Sequence, residues 1–218
     1  MKIPALIVGL LAAAGAAEAM AIEEPRYEVL AEQEGWELRR YAPTLVAEVE
    51  VEADFEEAGS RAFRTLAGYI FGKNTRDEKI GMTAPVSQQA AGERIGMTAP
   101  VTQQAREGRH VIAFMMPARY TAETLPAPVD PRIVLRELPA RLVAVRGYSG
   151  RWTAEGYQEN EARLMTALDA AGLVPAGAPT WARFNSPYSL WFLRRNEVQV
   201  TLAEESPGLR PLLAAGPR

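Results

Sequence analysis

KIGMTAPVSQQAAGERIGMTAPVTQQ, residues 79–104, writes nearly the same eleven residues twice, with only Ala90-Ala91-Gly92-Glu93 between the copies. The copies differ by Lys79/Arg94 and Ser87/Thr102, and neither contains Cys, His or an acid, so neither looks like a catalytic centre. In each, apolar residues alternate with smaller or polar ones: Ile80, Met82, Ala84 and Val86, then Ile95, Met97, Ala99 and Val101. That is the period of a half-buried strand. The link containing Gly92 is short enough to close a hairpin, which would pair the copies as neighbours. Pro85 and Pro100 cannot donate to a ladder and belong at edges, bulges or strand ends. The stretch therefore reads as a duplicated packing strand. The competing reading makes Met82 or Met97 line a pocket or ligate a soft metal.

The surrounding chain has 218 residues, 48% hydrophobic and 23% charged, the balance of a globular protein with a real core. One domain is the default. A net charge of -3, with no cluster of Lys and Arg, argues against a nucleic-acid or anionic-membrane surface. Cysteine is absent, which removes disulfides, thiolate catalysis, iron–sulfur clusters, cysteine-ligated zinc and a lipoprotein anchor.

The N-terminus, MKIPALIVGLLAAAGAAEAMAIEE, has a positive Lys2, an apolar run and the small-x-small pattern Ala17-Glu18-Ala19. This predicts a signal peptide over residues 1–19, cleaved after Ala19 or after Ala21, and a periplasmic or secreted protein. The uncharged run is shorter than the roughly 20 residues that span a bilayer, so no stable membrane insertion is expected after cleavage.

Two segments read as helices. In ADFEEAGSRAFRTLAGYIFGKN, Asp54 is an N-cap, Glu56 and Glu57 suit the positive end of the dipole, and Gly72 stops a helix running from Phe55 to about Phe71. Its apolar positions, Phe55 to Ile70, recur at three- and four-residue steps. The second helix has Thr153 as N-cap, Gly172 as stop and Pro175 beyond it. Strand character appears at Tyr27–Leu30, Trp36–Tyr41, Thr44–Val51, His110–Met116, Ile133–Leu138, Leu142–Tyr148, Thr180–Phe184 and Glu197–Leu202. Two rounds of strands, helix and strands suggest an internal duplication. The class is α+β, a mainly antiparallel sheet closed or strongly curved around its helices. The tail, residues 204–218, rich in Gly, Pro and Ala, reads as flexible.

GYIFGKNTRDEKIGMTAPVSQQ resembles the SOUL heme-binding family, whose members carry a helix ending in a Gly-Lys-Asn turn followed by a Lys-Ile-x-Met-Thr-Ala-Pro-Val strand, often doubled. YEVL and WELRRYAP near the start, FMMPARYTAETLP in the middle and FNSPYSLWFLRRNEVQV near the end match further marks of that family in order. The resemblance runs from about Pro25 to Leu202, and the domain is placed at 25–203. It implies a distorted antiparallel β-barrel with two helices, a pseudo-twofold duplication of strand–helix–strand units, and a shallow apolar cleft for heme or another tetrapyrrole. The family places that cleft between the first helix and the loop before the last strand.

Here those elements offer Phe63, Arg64, Ala67, Ile70 and Phe71 on the helix, and Tyr188, Trp191, Phe192 and Arg194 in the loop. Large apolar residues in a loop ask for an explanation. A porphyrin, a flat apolar disc with two carboxylates, needs aromatic walls and a cation or two, for which Arg64 and Arg194 are available. The competing reading has Trp191 and Phe192 plugging the barrel end.

Where some animal members are credited with an axial histidine, this chain has Arg40, which stays protonated and cannot ligate iron. Where some place a basic residue in the Asn-Ser-Pro loop, it has Ser189. His110, the one histidine, is a weak metal-ligand candidate; Tyr188, Met82, Met97, Met115 and Met116 are ligands in principle. Heme held without a protein axial ligand is the expectation that follows.

No Gly-x-Ser-x-Gly elbow, P-loop or dinucleotide fingerprint occurs. The expected function is a non-catalytic heme or tetrapyrrole carrier or buffer, with the small-molecule tetrapyrrole as its partner and no nucleic acid. The alternatives are a general apolar-effector binder, whose plan this duplication also resembles, and a tetrapyrrole-modifying hydrolase, which would need an activated nucleophile.

Overall fold

The structure, a computed structural model, describes residues 22–90, 109–185 and 188–215. The expected export segment, the second copy of the repeat and the hairpin between the copies lie outside those residues. The elements run β1 (Tyr27–Gln33), β2 (Trp36–Tyr41), β3 (Thr44–Glu52), α1 (Phe55–Ile70), β4 (Val86–Ala90), β5 (Arg109–Met115), β6 (Ile133–Leu138), β7 (Arg141–Tyr148), α2 (Ala154–Ala170), β8 (Thr180–Arg183), a 3₁₀ turn (Trp191–Leu193), β9 (Asn196–Thr201) and α3 (Leu209–Ala215). Every strand pairing is antiparallel, in the order β1-β2-β7-β9-β8-β4-β5-β3-β6.

Set β1 aside and the order is twofold. The run β2-β7-β9-β8 corresponds to β6-β3-β5-β4, and α1 corresponds to α2. Among the described residues the two half-sheets are joined by one ladder, β4 on β8, in the register Val86↔Arg183, Ser87↔Ala182, Gln88↔Trp181 and Gln89↔Thr180. The expected duplication is therefore built into the pairing.

The sheet curls into a half-barrel, the strongly curved antiparallel α+β form expected, and only the position of the helices differs. The helices lie on the outer, convex face rather than inside the curve. A hollow on the concave side is lined by β-strand residues and connecting segments, with no helix contributing. On the outer face α1 buries Ala58, Ala62, Leu66 and Ile70 against Ala47, Val49, Ile112 and Phe114. On the other half α2 buries Tyr157, Leu164 and Leu168 against Leu38, Ala144, Trp181 and Val198. The two helix starts meet: Phe55 stacks on Trp181 at 4.8 Å and on Tyr157 at 5.3 Å, and Glu56 accepts the Ala154 N–H at 3.1 Å. That carboxylate satisfies one of the orphan donors at the first turn of α2 and sits at the positive end of its dipole. Thr153 caps α2 by accepting from Gly156 N–H, whereas Asp54 has the extended backbone of a cap but no side-chain cap bond.

The first copy of the repeat is not the strand its alternation predicted. Ile80 and Ala84 are buried, but Met82 is exposed, and regular pairing begins only at Val86. Ile80 N–H bonds Ile70 C=O and Ala84 N–H bonds Glu23 C=O, so the chain is tied to the α1 terminus and to the N-terminal segment before it enters the sheet. The strand proper, Val-Ser-Gln-Gln-Ala, is polar because its amides are used: Gln88 bonds Phe55 C=O and Arg183, and Gln89 bonds Ala178 C=O. The segment from Glu204, expected to be loose, carries α3, with Leu209 buried in the α2 core and Ser206 donating to Ala203 C=O at 2.6 Å.

A polar network crosses the concave face at its β2 end. Arg39 meets Glu197 at 3.1 Å with both side chains buried, and Gln199 donates to the same carboxylate at 2.8 Å. Removing one member of a buried pair strands the other in low dielectric. Glu197→Gln is expected to destabilise the fold by about 3 kcal/mol in urea unfolding, near the lower end of what breaking a buried pair costs because Arg39 keeps its bond to Glu37; an unchanged midpoint would show the pair to be inert.

Candidate functional site

The β4–β8 seam ends where Arg183 pairs with Val86, and Val86 pairs with Phe114 of β5. Cross-strand partners share a face, so these three side chains form a row on the helix side of the sheet. Above the row runs α1. A Cβ at Gly59 would lie 2.8 Å from Arg183 Nη1, so glycine at that position lets the guanidinium sit against the helix. One turn further on, Phe63 meets Phe114 edge-on at 5.5 Å. The chain leaves β8 after Arg183 and returns as β9 at Asn196, and this connection carries the loop aromatics.

Cations and indoles interleave below that loop. The Arg183 guanidinium lies 3.8 Å from the Trp181 ring centroid and 5.4 Å from that of Trp152; Arg194 covers Trp152 at 4.3 Å, and Arg151 lies 5.6 Å from Trp191. Such contacts fix the planes of both partners. Arg194 Nε donates to Ser189 C=O at 3.0 Å, Leu193 N–H to Leu190 C=O at 2.9 Å, and Trp152 Nε1 to Asn196 at 2.8 Å. The loop is thus held by its own bonds. Burial pulls the Arg183 guanidinium down to a pKa of about 10, and its buried Nε has no acceptor among the described residues.

On this support the loop turns its large apolar side chains to solvent. Tyr188 is 94% exposed, Trp191 49% and Phe192 52%, with Leu190 and Leu193 also exposed. Trp191 and Phe192 meet edge-on at 5.6 Å. They do not plug the barrel end. Phe63, at 37%, is exposed on α1, and Phe71, the C-cap just beyond its last residue, is exposed about 12 Å further along at 1.5 Å per residue.

Not every expected residue joins them. Ile70, at 1% exposure, and Ala67 are buried in the core under α1 and present no surface to a ligand. Arg64 lies on another flank of the helix, in an open groove with Arg61, Lys73, Asp130 and Arg132. His110 stands near the start of β5 with its ring edge-on to Phe55 at 5.9 Å, about 13 Å along the strand from Phe114 at 3.3 Å per residue. Burial lowers its pKa, opposed by Asp54. Of the methionines proposed as ligands, Met115 and Met116 are buried, Met82 is exposed and Met97 lies outside the described residues. Among the described residues no three His, Asp or Glu side chains converge on a metal position.

Sequence reasoning missed Arg183, Trp152 and Gly59. The available signal was Trp181-x-Arg183, two positions apart on one strand face and directly before the aromatic loop.

If the loop aromatics serve a ligand rather than the core, their removal should cost the fold little. Trp191→Ala is expected to shift the urea unfolding free energy by less than about 0.5 kcal/mol, as surface substitutions do. Trp181→Ala, fully buried, should cost about 3–5 kcal/mol. A comparable loss for Trp191→Ala would make that residue part of the core.

Comparison with known proteins places the chain as a whole. The chain is 29% identical over 199 residues to heme-binding protein 2 of Homo sapiens, covering 84% of this chain and 93% of that one. To heme-binding protein 2 of Mus musculus it is 27% identical over 203 residues, covering 87% and 95%. Among solved structures, the EcmrR C-terminal domain superposes with a TM-score of 0.57 at 9% identity, covering 81% of this chain and 98% of that domain. A hydrolase from Listeria innocua superposes with a TM-score of 0.53 at 11% identity, covering 77% and 91%. At such identities the structural likeness speaks for the fold alone. The SOUL heme-binding protein profile matches residues 22–201, and the chain belongs to that family.

Proposed function

We propose that the protein binds heme or a closely related tetrapyrrole on the surface between α1 and the connection from Arg183 to Asn196, and that it carries or buffers the pigment rather than transforming it. The observation that carries this reading is the run of exposed Tyr188, Leu190, Trp191, Phe192 and Leu193 held over an arginine–tryptophan stack. Water-facing aromatics on a braced loop are a stacking platform, and the contiguous apolar area is what a flat macrocycle covers. Phe63 supplies apolar surface on the helix side. Arg183, Arg194 and Arg151 supply positive charge beside the platform for two propionates.

Family membership supports heme as the pigment. Iron, when bound, would bring its own redox and ligand chemistry; what this chain contributes is a plane, a charge and partial exclusion of water. His110 lies too far along β5 to serve as an axial ligand at this surface without rearrangement of the strand, which favours binding through the ring and its carboxylates. The same position leaves the chain's one imidazole away from the platform, which favours a non-catalytic role. The N-terminal export pattern favours pigment handling in the periplasm or outside the cell.

The test is titration of the protein from Met20 with ferric hemin, followed by the Soret band, with an unrelated planar apolar dye as control. A saturable one-to-one change is expected, weakened at least tenfold, about 1.4 kcal/mol, by Trp191→Ala and unaltered by His110→Ala. Non-saturable binding, or binding matched by the dye, would remove heme as the ligand.

A further inference from the structure

The concave side of the half-barrel holds a second, unrelated feature. Its hollow, about 240 Å³, lies between the two half-sheets, far too small for a tetrapyrrole and below the usual range for drug-sized ligands. Three charged residues line it: Glu48, Arg136 and Arg141. Glu48 and Arg136 form an ion pair at 2.8 Å. That leaves Arg141 as an unbalanced positive charge.

Arg141 is the cross-strand partner of Tyr41, and its guanidinium lies 5.2 Å from that ring's centroid. Nη1 is buried and has no hydrogen-bond acceptor among the described residues. Burial lowers its pKa, Tyr41 acts against that, and Arg136 adds to it; no carboxylate opposes the burial. Arg39, two residues before Tyr41 on β2 and so on the same concave face, shows what the fold does with a structural guanidinium: Glu197, Glu37 and the Tyr41 hydroxyl all receive it. Arg141 is half-buried, and a partly desolvated cation without a counter-ion costs stability that an entering anion recovers. The same hollow is lined by Val46 of β3, Val111 and Ala113 of β5 and Val143 of Arg141's own strand, with the neutral polar side chains of Ser87, Gln89, Thr180, Gln199 and Thr201 completing it. One unpaired cation beside an apolar patch, with neutral polar groups around them, suits a small anion with an apolar body.

We propose that the interior of the half-barrel is a second binding site, taking a small monocarboxylate with an apolar body, its carboxylate on Arg141 and its hydrocarbon against Val46, Val111, Ala113 and Val143. The site is independent of the heme reading, since it lies on the opposite face of the sheet from the Arg183–Phe114 row.

The probe is sodium benzoate, with benzamide as the neutral isostere and sodium chloride as the ionic control, read by thermal melting and calorimetric titration of the full chain. Wild type should gain melting temperature saturably with benzoate and with neither control. Arg141→Met should weaken benzoate at least tenfold, Arg141→Lys should keep part of the response, and Trp191→Ala should keep all of it. If Arg141→Met gives no cooperative melt, Arg141→Lys and the benzoate–benzamide difference in wild type carry the decision. Equal responses to benzoate and benzamide, a benzoate response that survives in folded Arg141→Met, or one lost in Trp191→Ala would overturn the assignment.

Discussion

The ladder between β4 and β8 is the interaction on which the rest of the molecule depends. Four register pairs join two half-sheets that otherwise share no strand pairing among the described residues. At its middle Gln88 faces Trp181, and the indole is covered by Phe55, the first residue of α1. Gln88 in turn bonds the Phe55 carbonyl. The seam therefore fixes the two helix starts relative to each other as well as the two sheets. A buried amide is costly unless it is satisfied, and here its bonds are also the bonds that orient the helices.

The proposed binding surface follows from where that seam ends. At Val86 and Arg183 the strand pairing stops, α1 passes overhead with a glycine at the contact, and the chain departs into an aromatic loop. The molecule treats its buried and half-buried guanidiniums in two ways. Arg39 is paired with acids and ties β2 to β9. Arg183 stacks between indoles and Arg141 lies beside a tyrosine ring, each with a buried nitrogen that no protein acceptor reaches among the described residues. These two under-satisfied donors lie at the two proposed binding sites.

Much of the fold was legible because its elements announce their ends. Trp36–Tyr41 and Ile133–Leu138 form strands at the expected bounds, and Gly72 and Gly172, both at positive φ, stop their helices as read. The misreadings have a common source. Alternation in Ile80–Val86 reflected anchoring to α1 and to the N-terminal segment rather than a ladder, while the true strand, Ser-Gln-Gln, hid its role in side-chain amides bonded across the sheet. Periodicity sees burial of apolar groups and is blind to satisfied polar ones. The site was half legible for the same reason. Exposed aromatics in a loop stand out in a sequence; a cation that reaches them from a neighbouring strand does not. Arg64 is a cation available on the helix, but it stands one residue from Phe63, about 100° further round the axis, and lines a different groove.

Hydrogen exchange of the protein with and without hemin, resolved to peptides, tests the central claim most directly. Hemin should slow exchange in two stretches, Gly59–Phe71 and Phe184–Asn196, and leave the concave strands around Arg141 unchanged. Protection confined to the concave strands, or spread evenly over the sheet, would contradict a ligand platform at the end of the β4–β8 seam.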